Sequence, residues 1–496
     1  MAFGSKKKIV IIGAGISGLA CAALLAKKGF SVTVVEKNSM AGGRAIVWKK
    51  NGFLFDLGPS WYLMPEVFEK FFNKFKKSAK DFYELKRLDP CYRVFFDEEG
   101  EIDVPADRKG INTVFDSFEQ NGAKKLKDYL IDAEYKYNTA MKEFLYKEYS
   151  TIFDFLNPKI ILNAPKLRLF ESIDSFASRF FKSKKAKKVL EYSMVFLGGS
   201  PSNTPALYSI MSHVDLTLGV YYPMNGMWVL FDAVKKLGEN SGVKYRFNLE
   251  VQKIVVDEKN KVIGVRTKKG FIPADIVISG ADYEHTEQKL LEEKHRNYSK
   301  NYWEKRVVAP SAVLMYLGFE GRIKKLKHHN LFLAKDWDKH FREIFDEPVW
   351  PQNPSYYVGC PSKSDPSVAP KGKENVFVLV PVAAGLKDTN KIKEKMFEFV
   401  INDLEKKTGE KLRERIIVKR LFAQSDFKSL YNAYKGTALG IAHTLFQTAV
   451  FRPAHKSKKV KNLFFAGNYT HPGIGVPISL ISSEIVADLV EKEKTD

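Results

Sequence analysis

The chain of 496 residues carries 80 Lys and Arg against 58 Asp and Glu, a formal net charge of +22, and 45% of it is apolar. That length calls for more than one hydrophobic core, so two or three interleaved lobes are expected, and the charge excess points to an anionic partner, either a nucleic acid or a membrane surface. Three widely spaced cysteines argue against a disulfide framework or a thiolate metal site and fit a reducing cytosol, and nine histidines without H-E-x-x-H spacing argue against a metal centre.

The first element follows a short basic start, MAFGSKKK, that has no secretory apolar segment of its own. Ile9 to Ile12 reads as a buried parallel strand, and Gly13, Gly15 and Gly18 follow it at G-x-G-x-x-G spacing. A helix from about Ser17 to Lys28 and a second strand, SVTVVE, complete a βαβ unit ending at Glu36. In this pattern Gly13 allows the tight turn, Gly15 lets backbone approach a pyrophosphate, Gly18 allows helix to pack on strand, and Glu36 accepts from ribose hydroxyls. The helix N-terminus faces the anion. FAD and NAD both satisfy these residues. The uncharged stretch from Ile9 to Ala26 is long enough to suggest a membrane span, but its glycines and flanking strands argue for a soluble or peripheral protein.

Beyond Glu36, Gly42, Gly43 and Arg44 lead to an Asp56-Leu57-Gly58-Pro59-Ser60 turn. The glycine pair, Arg44 and Gly58 read either as a second backbone approach to a larger cofactor, with Arg44 offering charge-assisted hydrogen bonds, or equally as a glycine-rich surface turn with one solvated arginine. EVFEKFFNKFKK (66–77) and SIDSFASRFFKSKKAKK (172–188) set Phe68, Phe71, Phe72, Phe75, Phe176, Phe180 and Phe181 beside lysines; a stripe of this kind in any one segment is more often core behind a solvated lysine face, while the set of them favours membrane contact somewhere on the protein. From about 75 to 220 the chain reads as helical, with loops at 157–167 and 198–206. Period-two segments at 243–248, 250–257 and 262–282 then read as a small meander and a buried strand ending in Gly280-Ala281-Asp282. SAVLMYLGF (311–319) and NVFVLVP (375–381) are further strands, and His328 and His329 are expected on a solvated basic loop. The last segment, 461–490, reads strand, glycine-proline loop, helix, with Asp488 a solvated acid. No zinc spacing or RNP-like run accompanies the basic charge, so a membrane rather than a nucleic acid is the expected anionic surface.

The N-terminal fingerprint, G-G-R, D-x-G-P-S, ADIVISGAD and the terminal LFFAGNYTHPGIGVP, together with LGGSPSNTPALYS (197–209) and YYPMNGM (221–227), resemble the carotenoid desaturases, the phytoene desaturase family of FAD enzymes. The resemblance covers essentially the whole chain. It implies an α/β fold with a Rossmann-like FAD-binding domain of the glutathione-reductase and amine-oxidase type, an inserted mixed α+β substrate domain and a helical membrane-facing region. Residues 1–75, 226–290 and 455–496 would form the FAD-binding domain, and 76–225 with 291–454 the substrate domain, its membrane-associating part around 76–200. Gly13, Gly15, Gly18, Glu36, Gly43 and Arg44 match the family's cofactor positions, and Gly467, Gly475, Val476 and Pro477 match the segment closing over the flavin.

The activity implied is insertion of double bonds into a hydrophobic polyene by hydride transfer to flavin, followed by loss of a proton. Oxygen or a quinone would be the electron acceptor, and the enzyme would sit in the cytoplasm against a membrane. Since the cofactor carries the hard step, no catalytic triad is required, and His471 or Tyr469 would take the proton. The THPGIGVPIS loop is similar to hydroxycarotenoid 3,4-desaturases, where His471 would bond a terminal hydroxyl, whereas GPSWYLMPEVFEKFF (58–72) resembles bacterial phytoene desaturases. The 3,4-desaturase reading is preferred, with phytoene desaturation as the alternative. More distantly, an amine oxidase or a non-catalytic lipid escort of the Rab GDP-dissociation-inhibitor type would share the architecture.

Overall fold

The computed structural model describes residues 6–97, 99–149 and 166–495. At its centre is a five-stranded parallel sheet in the order Leu463–Phe465, Ile276–Ser279, Lys8–Ile12, Ser31–Val35, Lys244–Arg246. Strands from both ends and the middle of the chain therefore share one sheet. They are short, the three central ones are rich in Val and Ile, and Ile276–Ser279 is buried throughout, as a strand covered on both faces must be. The helix Ile16–Lys27 crosses this sheet and is buried along Ser17 to Ala26. Its small residues let Trp228–Asn240 and Val476–Thr495 pack against it on either side. Beside the sheet, Val251–Val256, Val262–Thr267 and Gly270–Pro273 form an antiparallel meander.

A seven-stranded mixed sheet makes the second body, in the order Ile416–Phe422, Ser311–Phe319, Glu374–Val382, Tyr356–Gly359, His329–Leu333, Tyr92–Phe96, Glu101–Val104. All nine residues of Ser311–Phe319 are buried, and alternate side chains serve two cores. Val313, Met315 and Leu317 meet the long helix Asn390–Thr408 on one face. Ala312, Leu314 and Tyr316 belong to another core on the other face, where the Tyr316 ring meets Trp48, Phe55 and Phe377.

Several sequence expectations are corrected here. The stretch 75–220 is not helical throughout: Leu85–Arg87, Tyr92–Phe96 and Glu101–Val104 are strands, the last two joining the large sheet. The basic aromatic segments follow the commoner reading of such stripes: Val67, Phe68, Phe71 and Phe72 of the first are core residues, as are Phe176 and Phe181 of the second. Burying each such side chain stabilises the fold by about 1.5–3 kcal/mol, so the stripe belongs inside and the lysines merely solvate the far side. His328 and His329 are buried, His329 opening a strand, rather than on a solvated loop. Most of the loop expected at 157–167 lies outside the described residues. Among the described residues no helix is long and apolar enough to cross a membrane, and no group of His, Cys, Asp or Glu is arranged to hold a metal ion.

Candidate active site

A cavity of about 610 Å³ runs between the two sheets. One end is a polar cradle. The tight turn after the first strand places Gly13 at φ +93°, and Gly13 N donates to Val35 O at 2.8 Å, joining the first two strand ends. A side chain at Gly18 would put its Cβ 2.0 Å from Gly13 O, so the helix can approach the turn only without one. Gly43 has φ +56°, and a Cβ there would stand 2.9 Å from Gly15 Cα. The two glycine loops thus face each other, and both line the cavity. No side chain caps the helix that begins at Ile16, so its N-terminal partial charge is directed at the same space.

Glu36 is buried and fixed by Ala14 N on one oxygen and Asn38 N on the other, both at 2.8 Å. A carboxylate has about four acceptor sites, so each oxygen keeps capacity for a ribose hydroxyl. Arg44, half-buried on the cavity wall, has no hydrogen-bond partner for Nε or Nη2, and its guanidinium lies 5.8 Å from the Tyr431 ring. Buried guanidinium donors without partners are costly and call for an acceptor the chain does not supply. The Arg44 carbonyl is overlaid by Gly58, where a Cβ would come within 1.8 Å of it. Gly467, at φ +126°, Gly475, Val476 and Pro477 close the opposite side, with Gly467 N held by Ser482 Oγ at 3.0 Å. An orphaned guanidinium, an acid with spare acceptor sites and facing glycine loops fit a dinucleotide. Of the expected cofactor residues, Gly13, Gly15, Glu36, Gly43, Arg44, Gly58, Gly467, Gly475, Val476 and Pro477 reach the cavity, while Gly18 acts behind it by packing.

The two residues nominated for proton transfer separate. Tyr469 is buried off the cavity wall, its hydroxyl donating to Asp282 Oδ2 at 2.6 Å, and burial, then the Asp282 charge, push it well above the usual tyrosine range. It fastens the terminal loop to the strand end that carries Asp282. His471 is on the wall, with Nε2 3.2 Å from Phe144 O and its ring edge-on to Tyr149. That contact places the ring proton on Nε2 and leaves Nδ1, which has no partner, as an acceptor. Burial lowers its pKa to about 4, with the Phe144 carbonyl opposing and the Arg452 charge assisting, so the ring is neutral.

Arg452, which the sequence reading missed, organises this loop. Its guanidinium is buried without a carboxylate and donates to the carbonyls of Tyr469 (3.2 Å), Thr470 (3.1 Å), Gln447 (3.0 Å), Ile441 (3.3 Å) and Asn468 (2.6 Å). Burial lowers its pKa to about 10, still charged at neutral pH. Nothing in the local sequence marks it, because its partners are all backbone. The rest of the cavity is mostly apolar, with Phe144, Leu169, Phe196, Leu314, Phe377 and Leu379 among its walls. Asp488, as expected, is a surface acid, paired with Lys28.

Comparison with known proteins agrees with this geometry. The family model for flavin-containing amine oxidoreductases matches residues 16–490. A carotenoid 3,4-desaturase of Haloarcula japonica is 45% identical, over 98% of both chains. A 4,4'-diapophytoene desaturase (4,4'-diaponeurosporene-forming) of Staphylococcus haemolyticus is 33% identical over 97% of this chain and 98% of its own. Among solved structures, an oxidoreductase from Methanosarcina mazei superposes with a TM-score of 0.62 at 17% identity, covering 98% of this chain and all of its own.

Proposed function

The chain belongs to the carotenoid desaturases, within the flavin-containing amine oxidoreductases, and from that premise we propose that it is an FAD-dependent carotenoid desaturase forming the 3,4 double bond of a hydroxylated carotenoid. The observation that carries this reading is the continuity of the cavity, a dinucleotide cradle at one end and apolar walls beyond it. The hydrocarbon rod of the substrate is held there by burial, at about 25 cal/mol per Å² of apolar surface removed from water. The 3,4-desaturase is the more similar of the two relatives, and phytoene desaturation remains the alternative substrate reading.

Gly13, Gly15, Gly43 and the helix starting at Ile16 would hold the pyrophosphate of FAD, Glu36 its ribose, Arg44 an anionic oxygen, and the loop from Gly467 to Pro477 would close over its ring system. When bound, FAD supplies a two-electron oxidant that accepts a hydride from an allylic carbon. The chain holds the polyene in position and excludes water, which keeps the resulting cation from being trapped. His471 Nδ1 accepts the proton from the neighbouring carbon, and the electron pair of that C–H bond becomes the new double bond. Arg452 holds the loop that presents this nitrogen. Oxygen or a quinone then accepts the electrons.

The substrate enters from a membrane on the cytoplasmic side. Phe170 and Phe446 are 92% and 72% exposed. Their sequence neighbours Leu169 and Thr448 line the cavity, so the apolar surface adjoins the apolar interior. Exposed Lys142 and Lys166 precede Phe170 in the chain and would supply attraction to anionic lipid. Expression in cells accumulating lycopene, hydroxylated carotenes or phytoene tests the assignment. A red-shifted pigment from the hydroxylated pool supports it, and unchanged pigments in all three overturn it.

A further inference from the structure

On its large-sheet side the cavity carries a compact polar cluster. Ser60, Trp61 and Tyr357 line it there. The Ser60 and Trp61 side chains both reach toward the Tyr357 hydroxyl. Behind them, His329 Nδ1 lies 2.7 Å from the same oxygen, and the imidazole stacks on the Trp61 indole at 4.2 Å with 8° between the planes. The strand makes room for this arrangement at Gly359, where a Cβ would stand 2.6 Å from the Tyr357 oxygen.

Two buried atoms of the cluster lack a well-formed hydrogen bond: Trp61 Nε1, which is directed only loosely at the Tyr357 oxygen, and His329 Nε2. The indole can only donate, and an unpaired buried donor costs about 1–3 kcal/mol. Protonation of His329 at Nε2 would leave a second orphaned N–H. With the proton on Nδ1, His329 donates to the Tyr357 oxygen and leaves a bare lone pair, so the Tyr357 hydrogen is released to point elsewhere. The wall therefore offers two donors, Trp61 N–H and Tyr357 O–H, beside a serine hydroxyl that can accept. Burial keeps His329 neutral, and no Lys or Arg belongs to the cluster. A carboxylate or phosphate would be buried there without a counter-charge. The complementary group is a neutral oxygen that both accepts and donates, which is a hydroxyl.

We infer that Ser60, Trp61 and Tyr357 form a subsite that recognises a terminal hydroxyl on the polyene, with His329 positioning the Tyr357 hydroxyl. The inference rests on the desaturase reading and assigns its substrate selectivity to particular atoms. It also separates two tasks, since His471 then serves the proton and the sheet-side cluster serves the end group.

The test is equilibrium binding of lycopene and of its monohydroxylated derivative, each in detergent micelles, to the FAD-loaded protein, read by polyene absorbance. The intact protein is expected to bind the hydroxylated probe at least about tenfold more tightly, the worth of one well-made hydrogen bond in an apolar site. Tyr357→Phe and Ser60→Ala are each expected to reduce that ratio, and together to bring it within about twofold of unity. FAD content and thermal melting confirm that the variants fold. Equal affinity of the intact protein for both probes means that the cluster holds only a water, and overturns the inference while leaving desaturation intact. A tenfold ratio that survives both substitutions overturns it as well. Failure to bind either polyene overturns the desaturase reading itself.

Discussion

Arg44→Met separates a residue built to meet a ligand from one built to support the fold. The substitution keeps most of the apolar stem and removes a guanidinium whose Nε and Nη2 are buried without partners. If these atoms await a cofactor oxygen, the cofactor-free protein pays for them and gains nothing. The variant should then melt at the same temperature as the parent or slightly higher when free of FAD. Its FAD affinity should fall by the worth of one charge-assisted hydrogen bond, about 1.5–3 kcal/mol, or about 10- to 150-fold in Kd. The extra thermal stability conferred by saturating FAD should shrink by the same amount. Fluorescence titration of FAD into stripped protein and melting with and without FAD measure both quantities. A cofactor-free variant destabilised by more than about 1 kcal/mol, with FAD affinity within twofold of the parent, would refute the reasoning and make Arg44 a structural residue.

Gly43→Ala forces a side chain into a backbone at φ +56° and against Gly15 Cα, 2.9 Å away; the left-handed conformation alone costs about 1–2 kcal/mol, and the purified variant should retain less than about a tenth of the parent's flavin by absorbance. His471→Asn should keep FAD binding while lowering single-turnover desaturation by about 10²-fold or more. Because the folded His471 titrates near 4 rather than near 6.5, the parent's turnover should show no acid limb from this group until pH falls toward 4. Between those values the unfolded chain binds a proton the folded chain lacks, so His471's contribution to stability declines as pH falls through that window and is restored above it. A limb near 6.5 that disappears in the Asn variant would contradict a neutral, buried base. Replacing Phe170 and Phe446 together by Ser should weaken sedimentation with anionic liposomes at least about tenfold without changing the melting temperature, since both side chains are solvent-exposed; unchanged sedimentation would move the membrane-facing surface elsewhere.

The cradle was legible in the sequence because its requirements are local. A strand, three glycines and an acid at the next strand end need only short-range geometry to be interpreted, and Gly13, Gly15 and Glu36 all lie on the cavity. The strand Ser311–Phe319 stood out through its unbroken apolar run. What escaped depends on distant partners. Tyr92–Phe96 acquires its character from pairing with His329–Leu333, more than two hundred residues away. The aromatic stripe at 67–75 looks the same in sequence whether it meets lipid or a protein core, and only the tertiary contacts of Phe68, Phe71 and Phe72 decide for the core. His328 and His329 looked solvated because histidines beside lysines usually are; His329 stacks on Trp61 and His328 packs edge-on to Tyr222, which removes both from water. Arg452 carries no motif because it binds carbonyls, which every residue has.

The central claim is that the cradle and the apolar cavity serve one redox reaction on one polyene. Anaerobic mixing of the FAD-loaded protein with a hydroxylated polyene in liposomes tests it most directly, with flavin and polyene absorbance followed together. The account predicts that flavin absorbance bleaches in step with a red shift of the polyene, one double bond formed per flavin reduced. A flavin that stays oxidised while the polyene is demonstrably bound, or a purified protein that takes up no FAD, would contradict it.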